Sequence, residues 1–482
     1  MFDLRPVGYV IGLLVAALGA AMVFPMLIDL LHGDGDWKVF FEAGIITVVT
    51  GGLVALACAN GVRDKLSIQQ TFLLTTGVWL ALPVFGALPL MLGATEARFV
   101  DAFFEAMSGL TTTGSTVFTG LDALPKGLLF WRSMLQWFGG VGIIVVAMVF
   151  MPELRVGGMQ IFRSEGFETS GKVLPRAAEI ASQISFVYGI LTVTCVLAYL
   201  LVGMDPFDAV NHALTTVSTG GFSTYDASFG MFQGPAEYVA AIFMVLASLP
   251  FVRFVQLLAG TAKPLLRDPQ VHVYLIVNVV LILLLTLYRI FINDDHLEHS
   301  FREATFNVTS IITGTGYASV DYQLWGSFPV MVFFFLGLIG GCAGSTCCSI
   351  KIFRYQILFS SIKAQIRRIH SPHGIFTASF SGRAVSDDVI NSVAAFFVMF
   401  ILTLGVIAVL LSSTGLDYVT AISGAASAVA NIGPGLGDII GPSGNYASLN
   451  DTAKWILAFA MLTGRLELMA VFVLFSVKFW RG

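Results

Sequence analysis

The chain has 482 residues, is 56% hydrophobic and only 12% charged, and carries a formal net charge of −4. A soluble domain carries roughly 25% charged residues, so composition excludes a soluble enzyme or a nucleic-acid-binding module. With a mean hydropathy of +0.84, this is an integral membrane protein.

Apolar runs able to cross the roughly 30 Å hydrocarbon core occur in chain order at 7–30, 39–60, 69–93, 131–151, 180–203, 237–259, 272–292, 327–348, 390–412 and 453–477. They predict about ten spanning helices. The first run is full length and lacks a small-residue cleavage site, so it reads as a retained span and not a signal peptide. With the amino terminus inside, the inner segments collect most of the Lys and Arg, including Arg63, Lys65, Arg155, Arg163, Lys172, Arg176, Lys351 and Arg354. Short cytoplasmic loops gather such residues, so both termini are predicted cytoplasmic. The outer loops are then strongly acidic, which concentrates cations.

Between the spans lie segments too short to cross. Four of them lead into related turns: "SGLTTTGST" (108–116), "TTVSTGGFST" (215–224), "TSIITGTGYAS" (309–319) and "SAVANIGPGLG" (427–437). Aligned on Gly114, Gly220, Gly314 and Gly433, they recur roughly every hundred residues, an internal repeat that dictates the architecture. Acids precede each one: Asp101 and Glu105, Asp205 and Asp208, Glu298 and Glu303, and Asp417. The predicted fold is all-α, with two amino-terminal transmembrane helices (1–66). Four helix–loop–helix units follow, at 67–160, 161–265, 266–375 and 376–482.

Non-helical backbone at membrane depth is tolerated only where it is buried in protein or lines a wet cavity. A helix carboxyl end carries about half a negative charge, and successive carbonyls can replace the water shell of a cation. Gly permits the left-handed conformations such a turn needs. Gly and Thr also occur where membrane helices pack closely, but the fourfold recurrence favours an ion pathway lined by backbone.

Two further features stand out. "GGCAGST" loosens what would otherwise be a spanning helix, with Gly340, Gly341, Cys342, Ala343, Gly344, Ser345 and Thr346 in succession. Arg465 lies well inside the last span, where an ionised side chain is costly and usually functional. Glu467, two residues on, falls on another helical face and is an awkward partner for it.

These motifs resemble the Trk/Ktr/HKT superfamily of cation transporters over the whole chain, and the two extra helices are similar to its TrkH branch. The resemblance implies potassium as the transported ion and no cofactor. It implies a filter built by the backbone at Thr112, Thr113 and Gly114; Ser218, Thr219 and Gly220; Ile312, Thr313 and Gly314; and Asn431, Ile432 and Gly433. It also implies an intramembrane gating loop at Gly340 to Thr346 that Arg465 meets. Lys351, at the inner end of the broken helix, fits equally a gating role or an ordinary positive-inside anchor. A homodimer, a cytosolic ring-forming nucleotide-binding Trk-type subunit and a bacterial inner-membrane location complete the expectation.

Two other functions were open to the sequence. A symporter coupling sodium or protons to potassium shares every feature above. "GPSG" (441–444) matches the GxSG of intramembrane serine proteases, although no span offers an obvious His base. HExxH, Walker and dinucleotide-binding motifs are absent from the sequence.

Overall fold

A computed structural model describes residues 3–61, 66–150, 157–162 and 173–481. Arg63, Lys65, Arg155, Arg163 and Lys172, used above to orient the chain, lie outside these ranges. Among the described residues, seven helical segments are long and apolar enough to cross a bilayer: Arg5–His32, Trp37–Gly61, Ile68–Leu92, Lys126–Met148, Ala181–Leu201, Pro269–Ile292 and Asp387–Ser413. The chain is thus a multi-pass membrane protein. The first two spans approach closely through glycine, since a Cβ on Gly12 would stand 2.6 Å from the backbone nitrogen of Ala55.

The other three expected spans are not continuous. Pro235–Ala247 and Phe251–Leu258 meet at 91°, and Asp451–Arg465 and Met469–Phe475 at 105°. Pro250 sits at the first of these corners, where its ring and missing N–H favour the start of a new helix over continuation. At the second, Glu467 and Leu468 take φ values of 57° and 58°, a left-handed conformation that ends a right-handed helix. The run at 327–348 is helical only over Ser327–Leu336. Non-helical chain follows, closed by a two-residue parallel pairing of Ile339–Gly340 with Ile350–Lys351, before helix Ile352–His370 begins.

Four short helices stand inside the bundle: Phe99–Leu110, Pro206–Val217, Leu297–Thr313 and Tyr418–Ala430. Phe104, Ala213, Val308 and Ala425 on them are wholly buried. Asp205 and Asp417 cap the second and fourth, accepting from the amides of Phe207 and Thr420, as short acidic side chains do at helix starts. Glu105 and Glu303 do not belong to an outer acidic rim. Glu105 is buried against Arg132 at 2.8 Å and Glu303 against Arg289 at 2.6 Å, since a buried carboxylate requires a paired cation.

Candidate ion pathway

Each short helix ends in the same hydrogen-bonded turn. The amide of Thr113 donates to Ser108 O, Gly220 to Thr215 O, Thr315 to Ser310 O and Ile432 to Ser427 O. One residue earlier, Thr112, Thr219, Gly314 and Asn431 donate to Gly109, Thr216, Ile311 and Ala428, with φ values of 51°, 52°, 73° and 51°. Two residues further, Gly114, Gly221, Gly316 and Gly433 again take positive φ, between 77° and 110°. The shared hydrogen-bond frame therefore equates Gly114 and Gly433 with Gly221 and Gly316.

This corrects the register read from sequence, which took the first glycine of "TGG" and of "TGTG". Ser218 is the carboxyl cap of the second short helix, while Ile312 and Thr313 lie in the last turn of the third. The remaining predicted residues, Thr112, Thr113, Gly114, Thr219, Gly220, Gly314, Asn431, Ile432 and Gly433, lie in the turns. Gly221, Thr315 and Gly316 join them and were missed. The missed signal is visible once the four stretches start from Ser108, Thr215, Ser310 and Ser427, because the seventh column is then glycine throughout.

The four turns form a closed ring. A Cβ on Gly114 would collide with Gly220 O, one on Gly221 with Thr315 O, and one on Gly316 with Ile432 O. A Cβ on Gly433 would stand 2.8 Å from Thr113 O. Each turn thus abuts the next, in the order first, second, third, fourth, first, and a side chain at any of the four positions meets backbone. Hydroxyls and amides brace the ring from outside. Thr111 bonds Thr113 and Thr313 bonds Thr315, both at 2.7 Å. Asn431 Nδ2 donates to Thr113 Oγ1 at 2.9 Å, and Gln136 Nε2 to Gly220 O at 2.6 Å. The carbonyls of Thr113, Thr315 and Ile432 accept no hydrogen bond from any described residue. Nearly all buried carbonyls are paired in folded proteins, so three free ones at matching places are available to a ligand.

The same column holds a second set of braces. Glu105 accepts from Val117 N at 2.8 Å, His212 Nε2 lies 3.0 Å from Ser223 Oγ, and Asn307 Nδ2 donates to Ser319 Oγ at 3.0 Å. Each ties a short helix to the strand returning from its own turn. His212 is accounted for by this structural role.

Directly beyond the helix carboxyl ends lies the loop between Leu336 and Ile352. It completes the break in the second unit's helix: Cys342 N donates to Ser248 O at 3.0 Å, Thr346 N to Ala247 O at 3.3 Å, and Phe251 N to Gly344 O at 3.0 Å. Two interrupted helices thereby satisfy each other's backbone, as low dielectric demands. Ser349, at φ 60°, donates through both N and Oγ to Ala430 O, each at 3.1 Å. Cys348 Sγ lies 3.8 Å from Thr112 Oγ1, and a Cβ on Gly314 would be 3.7 Å from Cys348 Cβ. The first and third turns are diagonal in the ring, and Cys348 lies beside both.

Arg465 reaches this loop. Its Nη1 donates to Thr346 O at 3.2 Å and to Cys348 Sγ, and its Nη2 to Gly139 O at 3.3 Å. Among the described residues its Nε has no partner. Lys351 is buried and folds back onto Cys347 O, so it is no surface anchor. Glu467 pairs with Arg354 instead of Arg465. Arg354 Nε also donates to Gly157 O at 2.7 Å, and its guanidinium lies 3.9 Å from the ring centroid of Phe396. This buried link from the broken helix to the corner of the last span was not foreseen. All five cysteines are free, and no described group of three His, Cys, Asp or Glu is placed to hold a metal ion.

A family model described as TrkH, cation transport protein, matches residues 37–481. The chain belongs to the TrkH family. It is similar to the Trk system potassium uptake protein TrkI of Halomonas elongata, 41% identical over 478 residues that cover 99% of this chain and 97% of that one. It is 36% identical over 483 residues to the Trk system potassium uptake protein TrkH of Escherichia coli, covering 99% of each. The crystal structure of the potassium transporter TrkH from Vibrio parahaemolyticus matches with a TM-score of 0.92 at 33% identity, over 100% of both chains. The match to that structure bears out the helical membrane architecture, with which four repeats and two extra helices are consistent, and the family consists of transporters and not enzymes. Ser443 of "GPSG" is exposed, and the protease alternative is set aside.

Proposed function

We propose that the chain takes up potassium, which passes through the ring of four turns after giving up its water to main-chain oxygens. The ring closure carries this reading: four turns abut in cyclic order, and three of the four matching carbonyls are left without a protein donor. Carbonyls so arranged substitute for an ion's hydration shell. The filter residues in this reading are Thr112, Thr113 and Gly114; Thr219, Gly220 and Gly221; Gly314, Thr315 and Gly316; and Asn431, Ile432 and Gly433. The relatives' names, potassium uptake and potassium transporter, support the choice of ion.

The loop from Gly340 to Thr346, continued by Cys348, closes the path on the inner side, with Arg465 and Lys351 holding it. Opening requires those contacts to be surrendered. A cytosolic nucleotide-binding subunit governs that step, and the chain works as a homodimer in the bacterial inner membrane with both termini in the cytoplasm. Its units run 67–160, 161–265, 266–375 and 376–482 after the amino-terminal pair at 1–66.

Reconstitution in vesicles tests the reading. A reversal potential that follows the potassium gradient alone is expected; one that shifts with sodium or pH means coupled symport, and absence of ion flux contradicts the proposal. Gly114→Ser, whose Cβ would meet Gly220 O, is expected to admit more sodium relative to potassium. Unchanged selectivity in that variant would remove Gly114 from the filter.

A further inference from the structure

A cavity of about 420 Å³ opens between the spans Arg5–His32, Ile68–Leu92 and Lys126–Met148. Leu14, Leu18, Leu74, Val78, Trp79 and Val145 are among its walls, and among the described residues no charged side chain lines it. Its one buried hydroxyl at the wall, Thr75 Oγ1, is already spent on Thr71 O at 2.8 Å. Leu14 and Ala17, also on the wall, are exposed on the outer surface of the bundle.

Water has no place in such a space, because a buried water needs two to four polar partners and apolar cavities of this kind stay dry. An empty space forfeits the dispersion contacts of every lining atom. Leu14 and Ala17 at the mouth lie exposed on a membrane span, so the medium there is lipid hydrocarbon, as apolar as the leucines that line the cavity. We propose that the cavity is a binding site for one acyl chain of a bilayer phospholipid.

The position of the site gives the occupant a consequence. Gly139, whose carbonyl accepts from Arg465, lines the cavity, as does Trp79, whose ring centroid lies 5.8 Å from the Arg465 guanidinium. Leu110, the last residue of the first short helix, is a third wall residue. An acyl chain there packs behind both the support of Arg465 and the end of one filter helix. Occupancy therefore stabilises the latched arrangement. This second step rests on the gating reading of Arg465 given above, whereas binding itself rests only on the three spans.

The test uses the full-length chain in phosphatidylethanolamine vesicles doped with a phospholipid whose acyl chain carries a diazirine, with adducts mapped by mass spectrometry. Val78 and Val145 are expected to be labelled several-fold more than Val398, a residue 66% exposed on the span Asp387–Ser413. Val78→Trp, which fills the space, is expected to cut labelling at Val145 several-fold and leave Val398 unchanged; Leu14→Trp at the mouth serves where the first variant does not fold. Equal labelling at the three positions, or labelling indifferent to both variants, overturns the site. A disulfide joining two copies through Ala17→Cys, absent from the parent, would assign the cavity to a second chain and likewise overturn it. Gly114→Ser protein should label like the parent, which separates this test from the filter reading. Potassium flux that depends on acyl-chain length in the parent and loses that dependence in Val78→Trp supports the link to Arg465; a parent flux indifferent to chain length removes the link.

Discussion

The four glycine turns and the helices that follow them obey opposite rules. In the turns, one hydrogen-bond frame is repeated four times, from Thr113–Ser108 to Ile432–Ser427. In the helices, every unit differs: Lys126–Val145 runs on into a π-helical turn, the second unit bends at Pro250, the third dissolves between Leu336 and Ile352, and the fourth turns at Glu467 and Leu468. A site that must surround a bare ion on all sides benefits from equivalence. A gate needs one part that moves against others that stay, which equivalence would prevent. The shared breaks of the second and third units, closed by hydrogen bonds between Cys342, Thr346, Gly344 and the segment Ala247–Phe251, give the proposed gating loop a seat inside the bundle.

The largest effects are expected at the glycine column. Gly221→Ala and Gly316→Ala should each reduce potassium flux at least about tenfold, the equivalent of 1.4 kcal/mol, because a Cβ would strike Thr315 O or Ile432 O. Gly220→Ala should cost less, since its Cβ meets the side chain of Gln136, which can shift. Equal effects at 220 and 221 in a rubidium uptake assay would restore the register that aligns Gly220 with Gly114.

Substitutions in the unequal half should raise flux instead of abolishing it. Arg465→Ala removes donors to Thr346, Cys348 and Gly139 and should increase basal flux several-fold with ion preference retained. A silent result in patch recordings of reconstituted protein would make Arg465 a structural residue. Cys348→Gly removes only the side chain that lies beside the two diagonal turns, and a smaller rise, roughly two- to fivefold and within about 1 kcal/mol, is expected in the same recordings. The smallest effect should come from the rim. Arg98 pairs with Asp101 and Asp451 at the surface, where solvent screens ion pairs, and Arg98→Ala should barely move the midpoint of a denaturant titration and leave selectivity unaltered.

Much of the fold was legible because a bilayer makes hydropathy a direct report of depth. Seven of the predicted runs are continuous spans. The corners at Pro250 and Glu467 were not, because hydropathy averages over a window and a bend changes direction without changing polarity. The loop at 340–346 was readable from its small residues. The repeat was equally plain, yet its register slipped where two glycines stood close together. Glycine permits a left-handed turn without requiring one, and Thr112, Thr219 and Asn431 adopt that conformation with side chains. The amide-to-carbonyl frame tells the two glycines apart, as does the Ser or Thr six residues before Gly221 and Gly316, where Leu214 and Val308 precede Gly220 and Gly314. Arg465 was found because a charge in a span is conspicuous, whereas the pairing of Arg354 with Glu467 depends on a corner that the linear pattern conceals.

In the proposed filter, Thr113, Thr315 and Ile432 turn unpaired main-chain oxygens to a dehydrated alkali ion, and Gly220, whose carbonyl also accepts from Gln136, completes the ring. Rubidium anomalous diffraction from crystals of the full chain tests it most directly. The account predicts density on the axis of the ring, bounded by those four carbonyls, and lost in Gly221→Ala. Rubidium bound elsewhere, with the ring empty at saturating concentration, would contradict it.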